Sequence, residues 1–405
     1  MPSGRFGHVS AEDPADPAEQ NSASPTPGAP AARATRTGRR SKGTLASIAA
    51  ELGVSRTTVS NAYNRPDQLS PELRERILAQ AEAQGYPGPD PMARSLRMRR
   101  VGAVGVLFTE QLSFAFEDPA SVDFLAGLSE ECGRRGDSLL VIPASSSECA
   151  TSLDDAPQGP SLSESDPRQL IRQAVVDSFV VYSVAEDDPF LQAVLERGLP
   201  TVICDQPTEV GEVPFVGIDD REAIKPAVRH LTELGHRKVG VLSVRLSRQR
   251  NDGLVDAERL AGARHHVQRS RVEGALEALA EAGVDAADVP IIERHLNDPD
   301  NNYDAARELL TSHPELTAVV CTTDTQALGV LRYARDHGIR VPEDLSVTGF
   351  DGIEMARHVG VTTVIQPNRD KGRAAGAALA GGDPRVMLPT EFLPGRTTGA
   401  PREAS

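Results

Sequence analysis

From Val101 onward, short apolar runs alternate with amphipathic stretches, and this alternation limits the fold more than any other feature of the 405-residue chain. The runs are VGAVGVLF (101–108), SLLVIP (138–143), SFVVYSV (178–184), PTVIC (200–204), FVGID (215–219), KVGVLSV (238–244), AVVCTT (318–323) and LSVTGF (345–350). Between them lie stretches of helical spacing, among them Val122–Arg135, Pro189–Arg197, Arg221–Leu234, Arg271–Ala282, Tyr303–Thr311 and Thr325–His337. Near-continuous apolar strands separated by helices imply parallel sheets covered on both faces. Two such halves would hold a ligand in a cleft at the carboxyl ends of their strands. The Ser-, Asp- and Pro-rich segment 144–167 reads as an extended loop.

The first hundred residues have a different character. In TLASIAAELGVSRTTVSNAYN (44–64), Leu45, Ile48, Ala49 and Leu52 form one apolar helix face. Gly53 breaks that helix, Val54 plugs the turn, and Ser55 can cap a second helix in which Val59 and Ala62 face inward. Arg56, Thr57, Ser60 and Asn61 are left facing outward, a polar surface without acid that suits a major groove. A third helix follows, with Ser70 as cap, Pro71 at its first position, and Leu73, Ile77 and Leu78 on its apolar side. The short segment around 89–97 has a cap at Asp90 and too few apolar residues for a core, so it folds only against a partner. Residues 1–43, rich in Pro, Ala, Ser and Thr, read as a disordered tail.

Charge divides along the same boundary. Residues 101–405 carry 29 Lys and Arg against 48 Asp and Glu, whereas residues 1–43 and 44–100 are each +2, within a total of −15. A nucleic acid would be met by the first hundred residues and repelled by the rest. There is no run long enough to span a membrane and no basic-then-apolar leader, which points to the cytoplasm. Cys132, Cys149, Cys204 and Cys321 are scattered without CxxC spacing, as expected of free buried thiols.

In combination the motifs resemble the LacI/GalR family of bacterial transcription regulators. The likeness rests on GVSRTTVSNAYN, SPELRERIL (70–78), PMARSL (91–96), HLTELGHRKVG (230–240), VGID (216–219), TAVVCTTDTQALG (317–329), VPEDLSVTGFDGIEMA (341–356), TTVIQP (362–367) and LPTEF (388–392). It implies an all-α helix-turn-helix head and an α/β, periplasmic-binding-protein-like body of two Rossmann-like lobes. The expected layout is a head at 44–88, a hinge at 89–100 and an effector-binding, dimerising body at 101–405. One lobe would hold about 101–206 and 352–389, the other about 207–351 and 390–400.

The resemblance also implies roles. Arg56, Thr57 and Asn61 would read base edges; Thr44, Ser55, Thr58, Ser60 and Asn64 would hold phosphates; Leu96 would wedge into the minor groove with Arg97 beside it. Arg271, heading an Arg-x-x-Gly pattern at a helix start, and Asp324, closing a strand, would grip the effector. Phe114, Phe116 and Asp118, after the first strand, and Asp351, after LSVTGF, would also line the cleft. Simple helix capping for Thr44, Ser55 and Asp324, and loop packing for the two phenylalanines, stand as alternatives. Two departures are GFDG in place of the frequent GFDD and a long segment at 244–270. The partners implied are double-stranded operator DNA, a sugar or similar polar effector, and a second copy of the chain, with a tetramer left open. Induction by the effector is favoured over a corepressor or ligand-insensitive behaviour, and a solute-binding protein without a DNA role is the contrasting class. The absence of GxSxG, HExxH and GxxxxGK[ST] argues against catalysis, and neither a metal nor a cofactor is expected.

Overall fold

The computed structural model describes residues 43–89, 100–108, 114–143, 166–402 and separates into two compact units, 1–90 and 91–405. The expected hinge segment containing Leu96 and Arg97, and most of the 144–167 loop, lie outside the described residues.

In the first unit, α1 (Leu45–Leu52), α2 (Arg56–Asn64) and α3 (Pro71–Ala83) pack around Ile48, Ala49, Val59, Ala62, Ile77 and Ala81. Local sequence sets each end. Thr44 and Ser47 form a reciprocal capping box, and the Ser55 and Ser70 hydroxyls accept from the Thr58 and Leu73 amides. Gly53 ends α1 in the left-handed region, φ 65°, where a Cβ would be strained.

The second unit contains strands β1 (Ala103–Phe108), β2 (Ser138–Pro143), β3 (Ser178–Tyr182), β4 (Thr201–Cys204), β5 (Phe215–Gly217), β6 (Val239–Val244), β7 (Gly253–Leu254), β8 (Ile291–Arg294), β9 (Ala318–Cys321), β10 (Ser346–Thr348), β11 (Thr363–Ile365), β12 (Arg385–Met387) and β13 (Glu391–Leu393). One sheet has the order β12-β5-β4-β3-β1-β2 and is parallel throughout. The other runs β10-β9-β6-β8-β7, parallel except for the β7 edge, and β11 and β13 form an antiparallel ribbon. Each sheet is packed on both faces by helices, with separate apolar clusters on its two sides. This is why the strands read as unbroken apolar runs.

The lobe limits differ from those expected. Phe215–Gly217 belongs to the first sheet, because Ile203 and Cys204 pair with Phe215 and Val216. Residues 352–365 stay with the second sheet, through bridges Thr348 to Thr362 and Asp351 to Ile365. The helix Asn368–Leu379 was not anticipated, since its Gly- and Ala-rich face lacks large apolar residues. That face allows close approach to the helix Pro119–Arg135. A Cβ on Gly127 would stand 1.8 Å from the Arg369 carbonyl oxygen, and one on Gly372 would stand 2.1 Å from that of Phe124.

Candidate DNA-reading helix and effector cleft

On α2, Arg56 and Thr57 are exposed, and Ser60 and Asn61 are partly so. Thr44 and Ser55 spend their hydroxyls on capping. Thr58 is held by Ser55 at 2.8 Å, and the Asn64 amide donates to the Ser60 carbonyl at 3.1 Å. Asn61 donates to Gln68 at 3.2 Å, a side-chain bond that orients its amide without burying it. Helix α2 thus offers a basic and amide-bearing face whose neighbours are already ordered. Its first-turn amides lie at the positive end of the helix dipole, which suits phosphate oxygens.

In the second unit a cavity of about 120 Å³ lies between the carboxyl ends of the parallel strands of the two sheets. Arg271, Asp118 and Asp351 line it, and they meet there from three distant parts of the chain. A second cavity, of about 360 Å³, adjoins it and shares Asp118 and Asn297. The inner space is smaller than the usual 300–1,000 Å³ of a ligand pocket, so a ligand entering it must part the walls or extend into its neighbour.

Arg271 is buried, lies over the Phe350 ring at 3.8 Å and donates to Asp220 at 2.8 Å, the Thr322 carbonyl at 2.8 Å and Asp351 at 3.3 Å. Its helix begins at His266, one and a half turns before the start expected from the Arg-x-x-Gly pattern. Beyond Asp351 the chain of contacts continues. Gln366 donates to Asp351 at 2.5 Å, Lys371 donates to Gln366 at 2.7 Å, and Lys371 donates to both Asp205 oxygens at 2.8 and 2.9 Å. Asp220, Arg271, Asp351, Gln366, Lys371 and Asp205 are all buried, so one polar chain runs from one lobe to the other.

Burial sets the charge states. It lifts Asp351 to about 8 despite the opposing Arg271, so near neutrality this carboxyl is mostly protonated, in keeping with its long 3.3 Å contact. Burial likewise raises Asp118 against its bonds from Ser121, and raises Asp220 against Arg271. Arg271 is pulled down by burial, but Asp220 and Asp351 outweigh this and hold it above its ordinary range.

Several expected cleft residues stand elsewhere. Asp324 is fully buried and does not line the cavity. One oxygen accepts from the Ile353 amide at 2.8 Å and the other from the Thr363 hydroxyl at 2.6 Å. The helix cap is Thr323, whose hydroxyl accepts from the Gln326 amide. Asp324 therefore ties the segment 353–363, which holds the helix Glu354–Val359, to the second sheet, and burial lifts its carboxyl to about 7. Phe116 is exposed and away from the cavity; Phe114 opens a short helix, and its side chain lies outside the described part. Gly352, where the resemblance would place a second carboxylate, has φ 70°, and a Cβ there would meet Ile365 at 2.7 Å.

The sequence reading missed Asp205, Gln206, Arg245, His265, Gln268 and Gln366, all of which line the cavity. Asp205 and Arg245 directly follow β4 and β6, so the rule that ligands gather beyond strand carboxyl ends could have found them. Among the described residues, the non-glycine positions with positive φ are Ser183 (54°), Asp205 (67°) and Asp351 (116°), and all three line this cavity.

The family profile described as a periplasmic binding protein-like domain matches residues 228–397. The HTH-type transcriptional regulator IpsA of Corynebacterium glutamicum is 53% identical over 365 residues, covering 89% of this chain and 98% of IpsA. A crystal structure of a LacI family transcriptional regulator, also from Corynebacterium glutamicum, superimposes with a TM-score of 0.66 at 49% identity, covering 88% of this chain and 99% of that one. The chain belongs to the LacI family of transcriptional regulators. Within the family, a structure of the regulator CelR in complex with cellobiose is 26% identical, with a TM-score of 0.59, and covers 88% of this chain and 99% of that one. As a LacI-family member the chain is an HTH-type DNA-binding regulator under effector control. Cys132, Cys204 and Cys321 are buried free thiols. Among the described residues no helix is long and apolar enough to cross a membrane.

Proposed function

We propose that this protein is a dimeric, cytoplasmic repressor that binds a two-fold operator and responds to a polyhydroxylated effector of the sugar class. It has no catalytic role. Arg56, Thr57 and Asn61 read base edges, while Thr44, Ser55, Thr58, Ser60 and Asn64 set the helix on phosphates. Leu96 and Arg97 enter the minor groove. The observation that carries the effector reading is the buried polar chain from Asp220 to Asp205, which borders the cavity and joins both lobes. Arg271, Asp118 and Asp351 offer donors and acceptors side by side, as hydroxyl recognition requires. The cellobiose complex of CelR supports a sugar. A ligand inserted at Arg271 and Asp351 competes with their mutual contact, alters lobe closure and shifts operator affinity by coupling.

The test has two stages. A gel shift on the DNA upstream of the protein's own gene should show specific binding that weakens steeply with salt. A thermal-shift screen of the full chain with sugars and nucleobases then supplies ligands. Any ligand found should change operator affinity in the wild type and leave it unchanged in Arg271→Ala. An undiminished response in that variant would remove Arg271 from the effector site.

A further inference from the structure

The cleft has a second chemical character at one end. The helix His266–Glu281 points its N-terminus at the cavity, and its N-cap residue, His265, makes no side-chain capping bond. The Gln206 side-chain oxygen accepts from the Val267 amide at 2.9 Å, so the sixteen-residue helix presents its positive end there through its other first-turn amides. His265 itself lines the cavity and is 3% exposed. Its Nδ1 lies 3.0 Å from the Gln206 amide nitrogen, which fixes the ring, while its buried Nε2 has no hydrogen-bond partner. A buried ring nitrogen without a partner is costly unless a ligand completes it. Gln268, one turn into the same helix, also lines the cavity with an unpartnered amide oxygen that an amide flip would turn into a donor.

Arg245 adds a buried guanidinium to the same wall, directly after β6. Its positive charge reaches His265 and, with burial as the larger cause, holds that ring neutral. The acids that line the cavity do not oppose these donors with full strength. Asp205 is held by Lys371, and Asp351 is lifted to about 8.

We infer that the effector carries an anionic group, a phosphate ester or a carboxylate, seated against Arg245, His265 Nε2 and the N-terminus of the helix His266–Glu281. This rests on the cleft being the effector site and adds a charge to the polyol assigned to it. The neutral His265 ring donates from Nε2 as the N–H tautomer, Arg245 supplies the fork, and the first-turn amides other than that of Val267, which Gln206 holds, supply the remaining donors. Hydroxyls of the same ligand face Arg271 and Asp351.

The experiment uses the full-length protein at fixed ionic strength, with thermal shift and calorimetry as readouts and glucose, glucose 6-phosphate, gluconate and inorganic phosphate as probes. Inorganic phosphate is expected to raise the melting temperature saturably where matched chloride does not. At least one charged sugar should bind tenfold or more tightly than glucose; gluconate ahead marks a carboxylate, and glucose 6-phosphate ahead marks a phosphate ester. Arg245→Gln should abolish the anion response, and Arg245→Lys, which keeps the charge, should retain part of it. Phosphate acting no differently from chloride, or protection undiminished in a folded Arg245→Gln, would overturn the inference. If sugars bind and Arg271→Ala abolishes that binding while no anion effect appears, the cleft remains the effector site and only its anionic character falls. If no sugar shifts the protein and Arg271→Ala changes nothing, both fall.

Discussion

Helix α2 carries its polar residues on a solvent-facing surface within nine consecutive positions, whereas the cleft draws its own from segments scattered between Phe108 and Gln366 and buries most of them. The head keeps its core (Ile48, Val59, Ile77) on one side of the helices and its polar face on the other. In the cleft the polar groups are themselves interior, and they hold the lobes together. Side chains of the first kind can be changed without cost to the fold. Those of the second kind bind and stabilise at once, so ligand response and folding cannot be separated there.

Four changes would break or sharpen this contrast. The largest effect is expected from Lys371→Met, which leaves Asp205 buried without its cation. It should cost about 3–5 kcal/mol in urea unfolding, and a loss below about 1 kcal/mol would mean that the polar chain does not hold the lobes. Gly127→Ala comes next, because its methyl group would overlap the Arg369 carbonyl oxygen at 1.8 Å. The helices must move apart, at about 1–3 kcal/mol of stability in the same assay. Asn61→Ala should weaken operator binding by about 1–3 kcal/mol while moving stability by no more than about 0.5 kcal/mol. Unfolding as severe as that of Lys371→Met would erase the difference between the two regions.

The fourth change concerns pH. Asp351 titrates at about 8 in the folded protein, above an ordinary value near 4 in the unfolded chain. Its contribution to stability is complete below the unfolded value and is lost as pH rises through about 8. Melting temperature should therefore drift downward between pH 5 and 9, and Asp351→Asn should flatten that drift. Asp324, at about 7, leaves a residual slope of the same sign. An unchanged profile in Asp351→Asn would show that this carboxyl is not the titrating group.

The same contrast explains what could be read in the chain. The head was legible because caps, turn glycine and apolar spacing all act within four residues, as Thr44, Gly53 and Ser70 show. Strands such as β1, β3, β6 and β9 were legible because both faces are buried. β8 was not, because IIER ends in Glu293 and Arg294, whose burial depends on partners at 259, 304 and 308. The helix Asn368–Leu379 was missed for a related reason: its packing depends on the absence of side chains at Gly372 and Gly376. Arg271, Asp118 and Asp351 could be placed near a cleft from motifs alone. The sequence did not reveal that Asp324 turns inward, since its oxygens are taken by Ile353 and Thr363, 29 and 39 residues away.

The left-handed backbone at Ser183, Asp205 and Asp351 has an energetic consequence. A non-glycine residue held there stores roughly 1–3 kcal/mol of strain, and effector-to-operator coupling in regulated proteins is typically about 1–3 kcal/mol. These three residues ring the space a ligand would enter, and two of them, Asp205 and Asp351, belong to the polar chain between the lobes. A ligand that let just one of them relax would release as much free energy as the switch needs.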